Sequence, residues 1–274
     1  MIIILRVLGF LFLLIFATFN AQTSVSEDLI IGKKVTLDSK ILNEKRTLNI
    51  YLPQTYDKTK SYPVIYILDG SMNEDFLHLV GLQQFFNMQF KIPDFIIVGI
   101  ANVDRKRDFT FHTDLKDLQK DYPTTGHSDK FIRFLGEELQ PFIDKNYKTD
   151  KTKYIIGQSL GGLLATEVLL NKPNLFTHYF IISPSLWWDD ESLLNKANAL
   201  LSAQKDDERF VYVSVGKNEH KTMVKDADSL FQILKNSGKK KLKLEYNLMQ
   251  DDNHATVLHR SVYEGFLKLY PSSD

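Results

Sequence analysis

The sequence contains no cysteine, and this absence excludes several kinds of chemistry at once. A chain without cysteine has no disulfide, no thiolate nucleophile, no cysteine-ligated zinc and no lipid anchor on cysteine. Its fold must therefore be stabilised by a hydrophobic core alone. A length of 274 residues, of which 43% are hydrophobic, is sufficient for one large domain with such a core.

The sequence also lacks an excess of charge of either sign, because 34 lysines and arginines balance 34 aspartates and glutamates. This balance does not predict a nucleic-acid-binding surface, and the densest basic run, at residues 239–243, is interpreted as a solvated turn. The histidines are dispersed, and no His-x-x-x-His pair on a helix has a carboxylate partner. We therefore expect no metal ion and no cofactor.

Polar residues are rare at the start of the chain. Residues 1–19 are almost wholly apolar apart from Arg6, and a polar segment follows. This pattern predicts a signal peptide over residues 1–21, and hence a protein exported to the periplasm or secreted. The same stretch is just long enough to span a bilayer, so an uncleaved membrane anchor is the alternative.

The rest of the sequence alternates between predicted strands and predicted helices. Residues 29–37 and 46–53 alternate apolar and polar side chains, which predicts an antiparallel hairpin. Nearly continuous apolar runs follow, as expected of strands buried on both faces of a parallel sheet. These runs lie at residues 62–68, 95–100, 154–156, 179–182 and 210–215, and residues 243–248 alternate as an edge strand would.

The intervening segments have the periodicity of helices. The predicted helices lie at residues 73–90, 221–236 and 257–269, and a further one begins at Ser128 as its N-cap. This order, without an internal repeat, predicts one α/β domain over residues 29–272. Its architecture is a single doubly wound, mostly parallel sheet with an N-terminal antiparallel hairpin.

The sequence Gly-Gln-Ser-Leu-Gly-Gly at residues 157–162 joins one of these strands to a helix. Such a segment is typical of a nucleophile elbow, in which Ser159 would lie at the tip of a sharp turn and Gly157 and Gly161 would leave room for it. The positive end of the following helix would face the position where an oxyanion develops during acyl transfer. We therefore predict that Ser159 attacks a carbonyl carbon.

A serine hydroxyl needs a base to accept its proton and an acid to orient that base. In this class of fold the acid and then the histidine follow the serine along the chain. His254 lies in a polar loop before the last helix and is the predicted base. Glu219, just past the end of a buried strand, is the predicted acid, with Asp226 as the alternative.

An oxyanion hole requires two backbone N–H donors. One is predicted at Leu160, the residue after the nucleophile. The second is expected in the loop after Asp69 and Gly70, at Ser71, on the ground of topology alone.

Several motifs occur in a fixed order along the chain. They are Asp-Gly at residues 69–70, Asp-Arg-Lys-Arg-Asp-Phe-Thr at 104–110, the elbow, Ser-Pro-Ser-Leu-Trp-Trp at 183–188 and Asn-His-Ala at 253–255. In this order they resemble the putative esterase family of α/β-hydrolases. That family includes esterase D, siderophore esterases, feruloyl and acetyl xylan esterases and mycolyltransferases. The segment 183–188 is the most specific, and it looks closest to the periplasmic esterases that open trilactone siderophores.

The resemblance implies a serine carboxylic-ester hydrolase that works through an acyl-enzyme, with Ser159, His254 and Glu219 as its catalytic residues. Some siderophore esterases are described as using a serine–histidine dyad, which leaves the need for Glu219 open. The alternatives are an acetyl or feruloyl esterase acting on polysaccharide-linked esters, and an acyltransferase that excludes water from the second step. A binding protein on a hydrolase fold would be expected to lack intact catalytic residues. The expected partner is thus a small-molecule or glycan-linked ester.

The resemblance also implies residues that bind the substrate. It places Trp187 and Trp188 near the acyl pocket, and Arg105 and Arg107 near its mouth. For the tryptophans the other interpretation is core packing, and for the arginines it is a solvated loop.

Overall fold

The computed structural model describes residues 25–89 and 92–271. The chain divides into two units, Met1–Ile31 and Gly32–Asp274. In the first unit the described residues 25–31 are exposed and have no regular secondary structure. The predicted signal peptide lies outside the described residues and stays a prediction, as do the predicted domain limits. None of the helices formed by the described residues has the length and apolar character needed to cross a membrane.

One eight-stranded sheet lies at the centre of the second unit, in the order β1-β2-β4-β3-β5-β6-β7-β8. The pairs β1–β2 and β2–β4 are antiparallel, whereas the other pairs are parallel. The prediction of a mostly parallel sheet with an N-terminal hairpin is confirmed. The strands are β1 (Lys33–Ser39), β2 (Glu44–Tyr51), β3 (Tyr62–Ile67), β4 (Ile96–Ile100), β5 (Thr149–Ser159), β6 (His178–Pro184), β7 (Arg209–Gly216) and β8 (Leu242–Met249).

The α-helices of the described residues lie between these strands, except the last, which follows β8. They are α1 (Phe76–Met88), α2 (Arg105–Phe109), α3 (Lys116–Asp121), α4 (Ser128–Phe134), α5 (Gln140–Asn146), α6 (Leu160–Asn171), α7 (Trp188–Ala203), α8 (Lys221–Lys235) and α9 (Val257–Leu269). A π-helical turn, Leu135–Leu139, joins α4 to α5. The predicted N-cap at Ser128 is wrong, because Ser128 is the first helical residue and its cap is His127.

The sheet is buried on both faces, which explains its nearly continuous apolar strands. Neighbouring residues of a strand point to opposite faces. Accordingly, Ile155 packs in a cluster with Leu164 of α6 and Leu230 of α8. Ile156 packs in a second cluster with Phe76 of α1 and with apolar residues of α9. The described residues therefore form three layers, with helices on each side of the sheet.

Substitution of Gly157 by alanine is expected to destabilise the protein by about 1–3 kcal/mol, because a methyl group there would lie 2.6 Å from the carbonyl carbon of Gly161. Gly81 is the matched control. It lies within α1, where an added methyl group meets nothing within 4 Å. Gly81→Ala should stabilise the protein by about 0.5–1 kcal/mol. Urea unfolding measures both changes in the free energy of unfolding. A Gly157→Ala protein as stable as the original would contradict the predicted clash with Gly161.

Candidate active site

The carboxyl ends of the parallel strands bring the predicted catalytic residues to one edge of the sheet. Ser159 ends β5, Glu219 follows β7, and His254 lies in the loop between β8 and α9. This edge is where ligands bind in open α/β sheets. Residues that are far apart in the sequence therefore meet in one site because the sheet is parallel.

Ser159 occupies a strained turn between β5 and α6. Its φ of 60° and ψ of −121° are unusual for a residue other than glycine, and a conformation of this kind costs roughly 1–3 kcal/mol. The side chain is partly exposed, and its Oγ lies 3.3 Å from the Oγ of Ser185. The backbone thus presents the hydroxyl at the tip of the turn, as predicted for an elbow.

Glu219 and His254 are in direct contact. The Nδ1 of His254 lies 2.7 Å from the Oε2 of Glu219. The carboxylate is buried, with 1% of its side chain exposed, whereas 49% of the His254 side chain is exposed. Because a carboxylate accepts, Nδ1 carries the proton, and Nε2 is left to act as a base.

Two further donors hold the carboxylate of Glu219. The Gly216 N–H donates to Oε1 at 2.8 Å, and the Ser183 hydroxyl donates to Oε2. Burial raises the pKa of the Glu219 carboxyl, but the hydrogen bonds from His254 and these two donors outweigh burial and hold the pKa below its ordinary value. Glu219 is therefore ionised at neutral pH and can orient the imidazole.

The alternative acid, Asp226, lies elsewhere. It is fully buried on α8, where its Oδ1 is 3.4 Å from the Nζ of Lys225. Within the part of the chain that the structure describes, no hydrogen bond or ion pair joins Asp226 to His254. Glu219 is thus the carboxylate in position to orient the base.

The loop that carries His254 is tied to the elbow. The side-chain amide of Gln158 donates to the carbonyl oxygen of His254. Among the hydrogen bonds of residues 25–89 and 92–271, Ser159 is joined to Ser185 and not to His254. In free enzymes the bond between nucleophile and base is often formed only once the substrate is bound. The bond from Gln158 places the loop that carries the base next to the residue that precedes the nucleophile.

The two predicted oxyanion donors differ in whether their N–H groups already have an acceptor. Leu160 is the first residue of α6, so its N–H has no acceptor within the helix. The N–H of Ser71 donates to the Glu74 carboxylate at 3.1 Å. Ser71 would have to leave Glu74 before it could bind an oxyanion, and its role stays a prediction.

Arg105, the first residue of α2, joins the loop after β3 to the end of β5. Its Nε and one terminal nitrogen bind the two oxygens of Asp69 at 2.6 and 2.9 Å, and the same terminal nitrogen donates to the carbonyl oxygen of Gln158 at 3.1 Å. Asn102 also donates to Asp69. The guanidinium predicted at the mouth therefore lies beside the elbow, where it fixes the loop after β3.

Two of the predicted substrate contacts are not supported by their positions. The guanidinium of Arg107 donates to the Oε1 of Glu44 at 2.7 Å and to the Oδ1 of Asp108 at 2.8 Å. Trp188 is fully buried, and its Nε1–H donates to the carbonyl oxygen of Phe111 at 3.0 Å. Trp188 is therefore packed in the core, the other interpretation of the tryptophan pair, and its predicted role in substrate binding stays a prediction.

Trp187 is partly exposed and lies on the surface of this packed region. Its ring centroid is 6.3 Å from that of Tyr122, and Lys106 places its ammonium 4.6 Å from the same tyrosine ring. Trp187 can therefore contribute to a pocket. The tyrosine had no role in the sequence analysis, because nothing in a local pattern brings residue 122 to residue 187.

Two serines of the segment 183–188 also have partners in the site that the sequence analysis did not assign. The Oγ of Ser183 lies 3.0 Å from the Nδ1 of His254, and the N–H of Ser185 donates to the carbonyl oxygen of Ser159 at 3.0 Å. The sequence motif marks this segment as specific to the family. It does not reveal which of the two serine hydroxyls contacts His254.

The chain is similar to known esterases. The family described as Putative esterase matches residues 39–263. The ferri-bacillibactin esterase BesA of Bacillus subtilis (strain 168) is 31% identical over 241 residues, which cover 79% of this chain and 82% of that protein. The crystal structure of the BES protein from Bacillus cereus has a TM-score of 0.78 and 32% identity, over 89% of this chain and 98% of that chain.

An IroE-like serine hydrolase from Shewanella oneidensis has a TM-score of 0.79 and 28% identity, over 89% of this chain and 82% of that chain. These likenesses extend over most of the chain, and the family match at residues 39–263 spans the positions of Ser159, Glu219 and His254. The chain belongs to the Putative esterase family, and it is a serine ester hydrolase of the α/β-hydrolase type that resembles siderophore esterases.

Proposed function

We propose that this protein hydrolyses the ester bonds of a trilactone siderophore. The observation that carries the proposal is the 31% identity to a ferri-bacillibactin esterase over 79% of the chain. The grouping of Trp187, Tyr122 and the ammonium of Lys106 supports it, since Trp187 lies two residues after Ser185, which contacts Ser159. Aromatic and cationic groups suit the aromatic, anionic catecholates that such siderophores carry.

The contacts of the site suggest a role for each residue. Nε2 of His254 accepts the proton of Ser159 as its Oγ attacks the ester carbonyl carbon, and Glu219 holds the imidazole through Nδ1. The N–H of Leu160, and that of Ser71 once it has left Glu74, stabilise the oxyanion. His254 then gives the proton to the departing alkoxide. Water, deprotonated by the same Nε2, cleaves the acyl-enzyme and restores Ser159.

A side-by-side comparison of substrates tests the proposed specificity. We expect a higher kcat/KM for an enterobactin-type trilactone than for a feruloyl ester or acetylated xylan, because only the trilactone carries several catecholates for the aromatic and cationic surface. Steady-state rates on the three substrates, with the same enzyme preparation, measure the ranking. A feruloyl ester or acetylated xylan hydrolysed faster than the trilactone would overturn the siderophore assignment while leaving the esterase activity in place.

We also propose that residues 1–21 direct export and are removed, so that the enzyme acts in the periplasm or outside the cell. The support is the apolar run of residues 1–19 followed by a polar segment. N-terminal sequencing of the native protein should give Gln22 or a neighbour. An intact Met1 on membrane-bound protein would contradict cleavage.

A further inference from the structure

Ser183 lies between the base and the acid of the site. It is fully buried near the end of β6, and its hydroxyl donates to the Oε2 of Glu219, the oxygen that also faces His254. The Oγ of Ser183 lies 3.0 Å from the Nδ1 of His254. Three groups on three different strand ends therefore form one closed set of hydrogen bonds.

The protons of this set can be assigned without conflict. The Nδ1–H of His254 has two acceptors, Oε2 of Glu219 at 2.7 Å and Oγ of Ser183 at 3.0 Å. The proton of Ser183 is directed to Glu219, so the serine accepts from the base and donates to the acid. Nδ1 stays protonated whether Nε2 is neutral or charged, and the arrangement needs no reorganisation when His254 takes up a proton.

The backbone of Ser183 is strained. Its φ of 43° lies in the left-handed region, which is uncommon for a residue other than glycine. Such conformations persist when the surrounding contacts determine them, and they are concentrated at functional sites. The hydrogen bonds of the buried Ser183 hydroxyl with Glu219 and His254 are contacts that can hold the backbone in this conformation.

We propose that Ser183 is a positioning residue that holds the Glu219 carboxylate and the His254 imidazole in the orientation that leaves Nε2 available to Ser159. This inference rests on the proposed roles of His254 and Glu219. In the proposed mechanism Ser183 touches neither the substrate nor the nucleophile, and it acts through Glu219 and, with it, through His254. Its removal should therefore slow turnover and leave substrate binding almost unchanged.

The first test replaces the hydroxyl in two ways in the full chain. Ser183→Ala and Ser183→Gly should both lower kcat for an aryl ester by about 10- to 100-fold with little change in KM, the effect of losing a hydrogen bond to a charged group. Glycine adopts a positive φ without strain, so Ser183→Gly should unfold at a temperature no lower than Ser183→Ala. A loss of activity in both variants then cannot be attributed to strain.

Ser214→Ala is the matched control. Ser214 is also fully buried, on the neighbouring strand β7, and its hydroxyl has no hydrogen-bond partner among the described residues. The same chemical change there should leave kcat and KM unchanged. Wild-type kcat in both Ser183 variants, together with an inactive Ser159→Ala, would overturn the inference and leave the proposed function standing.

A double-mutant cycle separates positioning from a general structural role. In a Glu219→Gln protein the carboxylate that Ser183 acts through is gone, so adding Ser183→Ala should reduce kcat by less than about threefold further. An undiminished loss in that background would overturn the inference. Retained activity of Ser159→Ala would be a different failure, since it removes the proposed function itself.

Discussion

Replacing Ser159 by alanine is expected to lower kcat/KM for a simple aryl ester by about 10⁴- to 10⁶-fold, the range found when a serine nucleophile is removed. The turn that carries Ser159 has a φ of 60° and presents its hydroxyl at the carboxyl end of β5. No other side chain in the proposed mechanism can form the acyl-enzyme. The remaining activity would come from the oxyanion donors and from substrate binding.

The control for this variant must show that the fold is intact. Alanine at position 159 has the same positive φ as the serine it replaces, so the thermal unfolding temperature should change little. Ser214→Ala provides the same chemical change at a buried serine that lies outside the site. Activity within tenfold of wild type in a folded Ser159→Ala protein would contradict the assignment of the nucleophile.

The second large effect is expected at Glu219. Glu219→Gln should lower kcat by about 10²- to 10⁴-fold, because an amide can donate to Nδ1 and stabilise the wrong tautomer of His254. Steady-state kinetics measure this directly. A loss of less than about fivefold would mean that a serine–histidine dyad is sufficient and that the Glu219–His254 contact is not required for turnover.

Asp226→Asn is the matched control for the acid. Asp226 is also a buried carboxylate and was the alternative acid on sequence grounds. Burial and the nearby carboxylate of Glu191 raise its pKa, while Lys225 opposes them. Loss of that carboxylate should leave kcat and KM unchanged. A large loss of kcat in Asp226→Asn with a small loss in Glu219→Gln would make Asp226 the catalytic acid instead of Glu219.

Much of the fold could be predicted because its signals are local. The apolar runs of the buried strands and the stripes of α8 and α9 arise from side-chain periodicity, which short windows of sequence contain. The alternation at residues 243–248 was predicted to mark an edge strand, and β8 is the edge of the sheet. The π-helical turn at Leu135–Leu139 could not be foreseen, because apolar residues continue at helical spacing on both sides of it. These residues are Phe131, Ile132, Leu135, Leu139, Phe142 and Ile143.

The contact between Glu219 and His254 could be anticipated from chain order, since both follow strands that end at one edge. The contact between Ser183 and His254 could not, because it joins residues 71 positions apart and depends on a left-handed backbone at Ser183. The Arg105–Asp69 pair likewise depends on how the start of α2 meets the loop after β3. The burial of Trp188 shows the same limit, since a tryptophan pair in a sequence does not reveal which ring faces solvent.

The proposed mechanism requires Ser159 to be a nucleophile that His254 and Glu219 activate. Reaction of the full chain with a fluorophosphonate probe, followed by mass spectrometry of the peptides, tests this requirement. We expect one adduct, on the peptide that contains Ser159, and none in the Ser159→Ala protein. Absence of labelling in the folded wild-type protein, or an adduct on another serine, would contradict it.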